Sequence, residues 1–381
     1  MIYLDYAATT PMSDTALQVY TQVSKQYFGN ASSLHDTGSS ASNILEASRR
    51  TIADILHADL RHIYFTSGGS ESNFLAILSL IEGNKAHGKH LITTQIEHSS
   101  VRNVFKMLEA DGYEVTWLPV DKSGIVDLDA LKKSIRPDTI LASIQHANSE
   151  VGTIQPISHI ADILNNTATK LHVDCVQTFG KLPIDVQLFG ADAITFSSHK
   201  VYGPKGVGGA WLHPKSNWRP VIPNIHHESG FVQGTSNVAG VAGFAAATKQ
   251  LYHDRDTLMV HFNDIRSYTL TRLKELKYEV IQEGNLNSGM PNILGLRVPG
   301  IEGQFLMLEC SQAGVAIATG SACTAGSEEP SATMMATGKS RQEAREFIRL
   351  SFGKMTSKEE IDQTINKIDV ILARHFSKVK I

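Results

Sequence analysis

Short apolar runs alternate with amphipathic segments through the middle of the chain. Apolar residues recur at helical intervals between Val101 and Leu108, and a second such segment begins after Pro156. Strands that alternate with helices predict an α/β fold, in which a mainly parallel sheet has helices on both faces. The seven predicted strands cover residues 62–67, 90–94, 114–120, 139–145, 170–174, 192–198 and 206–213.

The last third of the chain has a different pattern. A long helical stretch is followed by short strand-like runs, a further helix and a helical end. This pattern predicts a second, smaller unit of the α+β class. We therefore expect a large domain over residues 15–250 and a small α+β domain formed by residues 1–14 and 251–381.

The composition excludes several classes of protein. The 35 basic and 38 acidic residues give a net charge of −3, which excludes a strongly basic nucleic-acid-binding protein. With 42% hydrophobic and 19% charged residues, global disorder is excluded as well. We expect no contact with a membrane, because no apolar run approaches the ~20 residues of a transmembrane helix. The N-terminus lacks a signal-peptide pattern and there are only three cysteines, so we expect a cytoplasmic protein.

Candidate chemistry lies where predicted strands end. The turn TSGGSESN at 66–73 would let backbone amides approach a phosphate, although many such turns are glycine-rich for steric reasons alone. Asp174 and Gln177 follow the strand KLHVD. A carboxylate buried at this position needs a cationic partner such as a pyridinium nitrogen; the alternative is a surface turn.

Two further segments contain candidate functional groups. Ser197, His199 and Lys200 directly follow a predicted strand, and a partly desolvated lysine there would be a nucleophilic amine. The alternative is an ordinary solvated lysine. His98 follows the strand HLITT and could stack on a flat cofactor, or it could cap a helix or lie in the core.

The three cysteines differ in their surroundings. Cys323 lies in a run of Gly, Ser, Ala and Thr with almost nothing apolar to pack against, which indicates a reactive thiol. Cys310 is in an apolar helical segment and Cys175 adjoins Asp174, so we expect both to pack in the interior. No Cys and His residues have zinc-site spacing, so we expect no dedicated metal site.

Ten segments follow one another along the chain between residue 3 and about residue 353. They are YLDYAATTP, GNASSLH, TSGGSESN, EHSSV, QHANSEVGTIQP, HVDCVQTFGK, SSHKVYGPKGVG, QGTSNV, TGSACTAG and FIRLSFG. With these segments in this order, the chain resembles the cysteine desulfurases of the NifS/IscS-like group, which belong to the class V aminotransferase family. The resemblance implies fold type I of the pyridoxal 5′-phosphate enzymes, with a mainly parallel seven-stranded sheet.

The resemblance also implies roles for single residues. Lys200 matches the lysine that binds pyridoxal 5′-phosphate as a Schiff base, and His98 matches a histidine that stacks on the ring and moves protons. Asp174 matches the partner of the pyridine nitrogen, and Gln177 that of the phenolic oxygen. The remaining matches are Gly69, Ser70, Ser197 and His199 around the phosphate, Thr235 as a phosphate contact from the second subunit of a homodimer, and Asn148 and Arg349 on the substrate carboxylate.

The activity implied is the removal of sulfur from L-cysteine. The products are L-alanine and a persulfide on Cys323, in a loop of the small domain, from which sulfur passes to an acceptor protein. The resemblance leaves open whether the acceptor serves iron–sulfur cluster assembly or another pathway. It also leaves open whether Cys323 transiently ligates an iron–sulfur cluster.

Two departures and two alternatives accompany this resemblance. Val232 stands where the family usually has arginine, which affects the contacts near Thr235. The sequence ends at Ile381 without the extension by which some relatives contact a cluster scaffold, so that partner is not assumed. The alternative functions are another class V enzyme, such as an aminotransferase or a selenocysteine lyase, and a non-enzymatic sulfur carrier.

Overall fold

A computed structural model describes residues 1–224, 226–286, 288–320 and 330–378. The strands are β1 (Ile2–Tyr3), β2 (Ile63–Thr66), β3 (His90–Thr94), β4 (Glu114–Leu118), β5 (Thr139–Gln145), β6 (Lys170–Asp174), β7 (Ala193–Ser197), β8 (Gly208–Leu212), β9 (Ile281–Glu283), β10 (Ile293–Arg297), β11 (Val315–Ala316) and β12 (Phe347–Ser351). The helices are α1 (Asp14–Gln26), α2 (Asp36–Leu56), α3 (Gly69–Asn84), α4 (Ser99–Ala110), α5 (Leu128–Ser134), α6 (Ile157–Leu164), α7 (Val186–Phe189), α8 (Val238–His253), α9 (Arg255–Lys274), α10 (Gly303–Gln312), α11 (Ala332–Ala336), α12 (Arg341–Arg345) and α13 (Lys358–Lys378).

The predicted strands of the middle of the chain form one seven-stranded sheet. Its order is β2-β8-β7-β6-β5-β3-β4. The strands β3 to β7 are parallel to one another, whereas β8 is antiparallel to both β7 and β2. The prediction of a mainly parallel α/β sheet is therefore confirmed.

Strand β6, at the centre of the sheet, separates apolar from polar side chains by alternation. On β6, Leu171 and Val173 belong to the main hydrophobic core. The intervening His172 and the terminal Asp174 belong to the opposite face, because successive side chains of a strand point to opposite sides. On that face Asp174 accepts a hydrogen bond from Asn73 of α3. The sheet thus has a polar row between its central strands and α3.

Both predicted helices of the middle region are confirmed. Helix α4 buries its apolar stripe from Val101 to Leu108 and ends just before Gly112, whose φ of 84° is readily adopted by glycine. Helix α6 begins directly after Pro156 and buries Ile157, Ile160 and Leu164. Burial of these stripes against the sheet supplies most of each helix's stability, because short helices are marginal in isolation.

The last third of the chain forms two smaller sheets. The antiparallel sheet has the order β12-β10-β9, and β1 pairs with β11 in parallel. The first residues therefore join the last third, while the boundaries of the two domains stay a prediction. The stretch expected as one long helix from about residue 251 is two helices, because the backbone of Asp254 (ψ 0°) leaves the helical conformation. Within the described ranges, no helix combines the length and the apolar character needed to cross a membrane.

Candidate active site

A cavity of about 290 Å³ opens at the carboxyl ends of the parallel strands. Sites of α/β proteins are found at this edge of the sheet, because the loops that follow parallel strands converge there. Most of the sequence-predicted site residues line it, namely Gly69, Ser70, His98, Asp174, Gln177, Ser197, His199, Lys200 and Arg349.

Lys200 lies in the cavity wall, at the end of the short 3₁₀ turn that follows β7. Its side chain is half-buried. The Nζ donates hydrogen bonds to the backbone carbonyls of Ala7 and Ala8, each at 2.6 Å. The N-terminal segment therefore fixes the direction of this amine. The structure places it where a ligand in the cavity would meet a nucleophilic nitrogen.

Asp174 ends the central strand β6 and is 6% exposed. Its Oδ1 accepts from the backbone N–H of Val176 at 2.9 Å, and its Oδ2 accepts from Asn73 Nδ2 at 2.8 Å. Within the described residues, no lysine, arginine or histidine forms an ion pair with this carboxylate. A buried carboxylate with only neutral partners attracts a cationic group of a ligand.

Two buried oxygen atoms in the cavity wall lack a hydrogen-bond partner among the described residues. They are Ser197 Oγ and Gln177 Oε1. The other end of the Gln177 amide is held, because its Nε2 donates to the carbonyl of Ala7 at 3.1 Å. Buried polar atoms nearly always have partners, so both atoms indicate a polar ligand in the cavity.

The glycine turn brings the start of α3 against the cavity. A side chain at Gly69 would place its Cβ 2.8 Å from Val176 Cγ2, so only glycine allows this approach. Ser70 follows in the first turn of the helix and is exposed. The first N–H groups of a helix have no partner within the helix, and together with the helix dipole they favour an anion such as a phosphate.

The two histidines of the cavity have different partners. His98 caps α4, and its Nδ1 accepts from the backbone N–H of Ser100 at 3.2 Å. His199 Nδ1 lies 3.1 Å from Thr9 Oγ1. Burial, reinforced by the positive charges of Lys200 and its neighbours, lowers the pKa of His199 to about 3. His199 is therefore a neutral hydrogen-bonding group near neutral pH.

The two residues expected to bind a carboxylate lie in different places. Arg349 of β12 is buried, and its guanidinium donates to Ser149 O at 2.8 Å and to Asp5 Oδ1 at 2.5 Å. Its Nε has no partner among the described residues. Asn148 lines a neighbouring cavity of about 550 Å³, which shares His98 and Ser149 with the first.

Asn148 already uses its whole amide within the chain. Its Nδ2 donates to Ile96 O and to Thr333 Oγ1, both at 3.2 Å. Its Oδ1 accepts from the backbone N–H groups of Glu150 and Val151. In the described state, Asn148 therefore holds the loop between the two cavities.

Two further predicted residues remain, Thr235 and Cys323. Thr235 is exposed, on the segment that leads into α8, and it is absent from the cavity wall. Cys323 lies outside the described residues. The other two cysteines are buried, as predicted. Burial raises the pKa of Cys310 to about 12 and that of Cys175 well above its ordinary value, so neither is a thiolate near neutral pH.

Three residues of the cavity wall, and one residue beside it, were not predicted from the sequence. Asn73 ends the segment TSGGSESN, so its position in that turn was a usable signal. Ala7 and Ala8 contribute backbone carbonyl groups. Every residue has such a group, so the residue type gives no signal for this role. Glu97 precedes His98 and accepts hydrogen bonds on one oxygen only, while Oε2 has no described partner. Burial raises the pKa of Glu97 to about 8.

Comparison with known proteins gives full-length similarities. The family Aminotransferase class-V matches residues 2–364. A protein of Bacillus subtilis, provisionally named cysteine desulfurase NifS, is 46% identical over 97% of this chain and 94% of its own. The cysteine desulfurase IscS of Dictyoglomus turgidum is 36% identical over 98% and 95%.

A solved structure titled "NIFS-LIKE PROTEIN" superimposes with a TM-score of 0.91. It is 33% identical, and the match covers 98% of this chain and 99% of that one. The similarity therefore extends over the sheet, the cavity and the last third of the chain together. The chain belongs to the class V aminotransferase family, in the group that contains the NifS and IscS cysteine desulfurases.

Proposed function

We propose that this protein is a pyridoxal 5′-phosphate-dependent cysteine desulfurase, which converts L-cysteine to L-alanine and passes the sulfur to an acceptor protein. The family is pyridoxal phosphate-dependent, and relatives that match nearly the whole chain carry this name. The observation that carries the proposal is the meeting of Lys200, Asp174 and Gln177 in one cavity with the start of α3.

The polar groups of the cavity fit the cofactor. The Asp174 carboxylate has only neutral partners among the described residues, so it suits a protonated pyridine nitrogen, and Gln177 lines the cavity with an oxygen that has no partner in that part of the chain. Ser197 Oγ and the first turn of α3, with Gly69 and Ser70, suit the phosphate. His199 lies beside them, and Lys200 would hold the cofactor covalently. When bound, the cofactor supplies an electron sink for the substrate α-carbon.

The chain's own residues would divide the remaining work. Arg349, buried beside the cavity with an Nε that lacks a described partner, is placed to bind the substrate carboxylate. We propose Asn148 as its companion, which requires the amide to exchange one of its present contacts. Lys200 would take the α-proton of the substrate, and His98 would stack on the cofactor ring, since both residues line the cavity.

We assign sulfur acceptance to Cys323, on its match to the family. In this step the thiolate of Cys323 attacks the substrate sulfur, so that an S–S bond forms and the C–S bond breaks. The electron pair of the broken C–S bond goes to the β-carbon, which takes up one proton, equivalent to the proton lost from the Cys323 thiol, and the carbon skeleton leaves as alanine. The two described cysteines do not compete, because burial keeps them as thiols.

The assembly and the destination of the sulfur are also part of the proposal. Thr235 is exposed and does not line the cavity of its own chain. This supports a homodimer in which each subunit offers Thr235 to the partner's phosphate site. We further propose that the dimer works in the cytoplasm, and that its acceptor serves iron–sulfur cluster assembly or another sulfur-trafficking pathway.

The test is to give the purified protein L-cysteine and a thiol reductant, and to measure alanine and sulfide together. We expect the two products in equal amounts. The Cys323→Ala variant should keep the yellow absorption of the bound cofactor and lose sulfide formation, while Lys200→Ala should lose that absorption band. The matched control Cys310→Ala should retain turnover.

Three results would contradict the proposal. A colourless protein after addition of the cofactor would exclude a working cofactor site. A yellow protein that transfers amino groups, or acts only on selenocysteine, would place it elsewhere in the class V family. Turnover that continues in Cys323→Ala would remove the assigned sulfur-accepting residue.

A further inference from the structure

A continuous row of side-chain hydrogen bonds lies between the central strands and α3, directly beneath the cavity. It begins on β5, where Ser143 Oγ lies 2.8 Å from His172 Nδ1. His172 Nε2 lies 3.3 Å from Thr195 Oγ1 on β7, and that hydroxyl donates to Asn73 Oδ1. The row thus connects three neighbouring elements of the large sheet and its covering helix.

The row branches at Asn73, whose side chain donates hydrogen bonds to two residues of the cavity wall. One proton of its amide nitrogen goes to Asp174 Oδ2 at 2.8 Å, and the other goes to Ser100 Oγ at 2.9 Å. Ser100 Oγ in turn lies 2.8 Å from His98 Nδ1. One asparagine therefore contacts both the carboxylate and, through a single hydroxyl, the histidine.

The donors and acceptors of this row have one consistent assignment. An ionised carboxylate only accepts, so the amide nitrogen of Asn73 must face Asp174, and its oxygen must face Thr195. Both amide protons are then used, and Ser100 Oγ is the acceptor of one of them. The Ser100 hydroxyl proton is left for His98 Nδ1, which also accepts from the Ser100 backbone N–H.

The far end of the row agrees with this direction. Because the Thr195 hydroxyl donates to Asn73, it must accept from His172 Nε2, and His172 Nδ1 then accepts from Ser143. That requires a neutral ring. Burial lowers the pKa of His172 to about 3, so the ring is neutral at physiological pH.

Burial makes this direction costly to reverse. Asn73 is 1% exposed, and His172 and Thr195 are 0% exposed. Reversal would turn a donor toward a donor at one link, or leave a buried polar group without its partner. The donor or acceptor role of each group in the row therefore determines the role of the next group.

We propose that Asn73 and Ser100 are positioning residues that hold the His98 ring with Nδ1 as a hydrogen-bond acceptor and a proton on Nε2, and that Asn73 couples this ring to the Asp174 carboxylate. His98 then enters the cavity as a proton donor. Removal of the substrate's α-proton is left to Lys200. The inference rests on the proposed function, and it adds the direction in which His98 moves its proton.

The direct test is ¹⁵N NMR of the full-length protein with its cofactor bound and its histidines labelled. The His98 signals are identified by their loss in a His98→Gln variant. In the wild type we expect Nδ1 without a proton and Nε2 with one. In Asn73→Ala and Ser100→Ala, a signal of protonated Nδ1 should appear, because the donors that exclude it are weakened or lost.

Kinetics supplies the second readout. Loss of one such hydrogen bond should lower kcat for L-cysteine about tenfold in either variant, with KM within about twofold of the wild type. Ser100→Thr retains the hydroxyl and should restore both kcat and the tautomer. Asn84→Ala is the matched control, because Asn84 is also buried on α3 but bonds only to backbone carbonyls. It should leave the His98 signals unchanged.

A wild-type ring with its proton on Nδ1 would overturn the inference, as would an unchanged tautomer in both Asn73→Ala and Ser100→Ala. If the tautomer also changes in Asn84→Ala, the effect is a general consequence of altering α3 and is not specific to Asn73. That result would also overturn the inference. The proposed function fails separately, when the wild type does not convert L-cysteine. The NMR comparison still decides the tautomer in that case.

Discussion

Two buried polar regions of this protein differ in how their charges and hydrogen-bonding groups are used. Between β9 and β10, Arg297 donates to Glu283 at 3.1 Å and to Glu346 at 2.8 Å, and Glu343 lies 3.5 Å away. Lys339 adds a second cation at 3.0 Å from Glu283. Every ionic group of this cluster, hereafter the Arg297 cluster, has a partner of opposite charge.

The polar region beneath the cavity is built on a different plan. Asp174 is held there by neutral donors, and Ser197 Oγ and Gln177 Oε1 face the cavity without a described partner. A buried polar group without a partner lowers the stability of the fold, because it loses its hydrogen bonds to water. In a fully paired cluster, the ion pairs and hydrogen bonds offset much of this loss. The two regions therefore differ in their charges: the Arg297 cluster pairs its charges within the chain, whereas the Asp174 carboxylate at the cavity has only neutral partners among the described residues.

The largest expected effect comes from breaking the paired region. Arg297→Met leaves Glu283 and Glu346 buried without their shared cation, so the free energy of unfolding should fall by about 3–5 kcal/mol. Urea unfolding measures this, and the absorption of the bound cofactor in the folded protein should be unchanged. As a control, Arg61→Met removes an exposed ion pair with Asp59 and should have no measurable effect. An Arg297→Met variant that keeps its stability but loses the cofactor would contradict the assignment of the Arg297 cluster to the fold and of the cavity to the ligand.

The next effect concerns Glu97, a buried carboxyl group beside the cavity. Among the described residues, it has no cationic partner. Burial raises the pKa of Glu97 from 4.5 to about 8, so the folded protein retains a proton that the unfolded chain loses. The stability of the wild type relative to Glu97→Gln should therefore fall by a few kcal/mol as the pH rises from about 4.5 to about 8. Urea unfolding at several pH values, with saturating cofactor, measures the difference. The exposed-residue control Glu302→Gln should show no such trend, and a parallel dependence in both variants would contradict the prediction.

The smallest effect is expected for Ser197→Ala, which should be neutral or favourable without the cofactor and unfavourable for cofactor binding. Ser197→Ala removes a buried hydroxyl without a partner, so the cofactor-free protein should be equally stable or up to about 1 kcal/mol more stable. The affinity for pyridoxal 5′-phosphate should fall about tenfold, because one phosphate donor is lost. Thermal unfolding without cofactor and a cofactor titration measure the two terms. Loss of stability without any loss of affinity would show that Ser197 serves the fold.

Much of the architecture could be predicted from the sequence because it depends on local patterns. The alternation of strands and helices predicted the large sheet, and Pro156 marked the start of a helix. The break at Asp254 was missed, because helical spacing continues on both sides of it. Segment similarity predicted Lys200, Asp174 and Gln177 as neighbours, and the structure places them in one cavity.

The family, the sheet and the residue types that line the cavity can be derived from the amino-acid sequence, because motifs and periodicity are properties of short segments. The pairing of the polar groups depends on the folded chain. Asn73 meets Asp174 and Ser100 across three separate segments, and the carbonyls of Ala7 and Ala8 reach Lys200 from the far N-terminus. The direction of the hydrogen bonds at His98 depends on these long-range contacts and on their burial. Neither is encoded in the neighbourhood of any one residue.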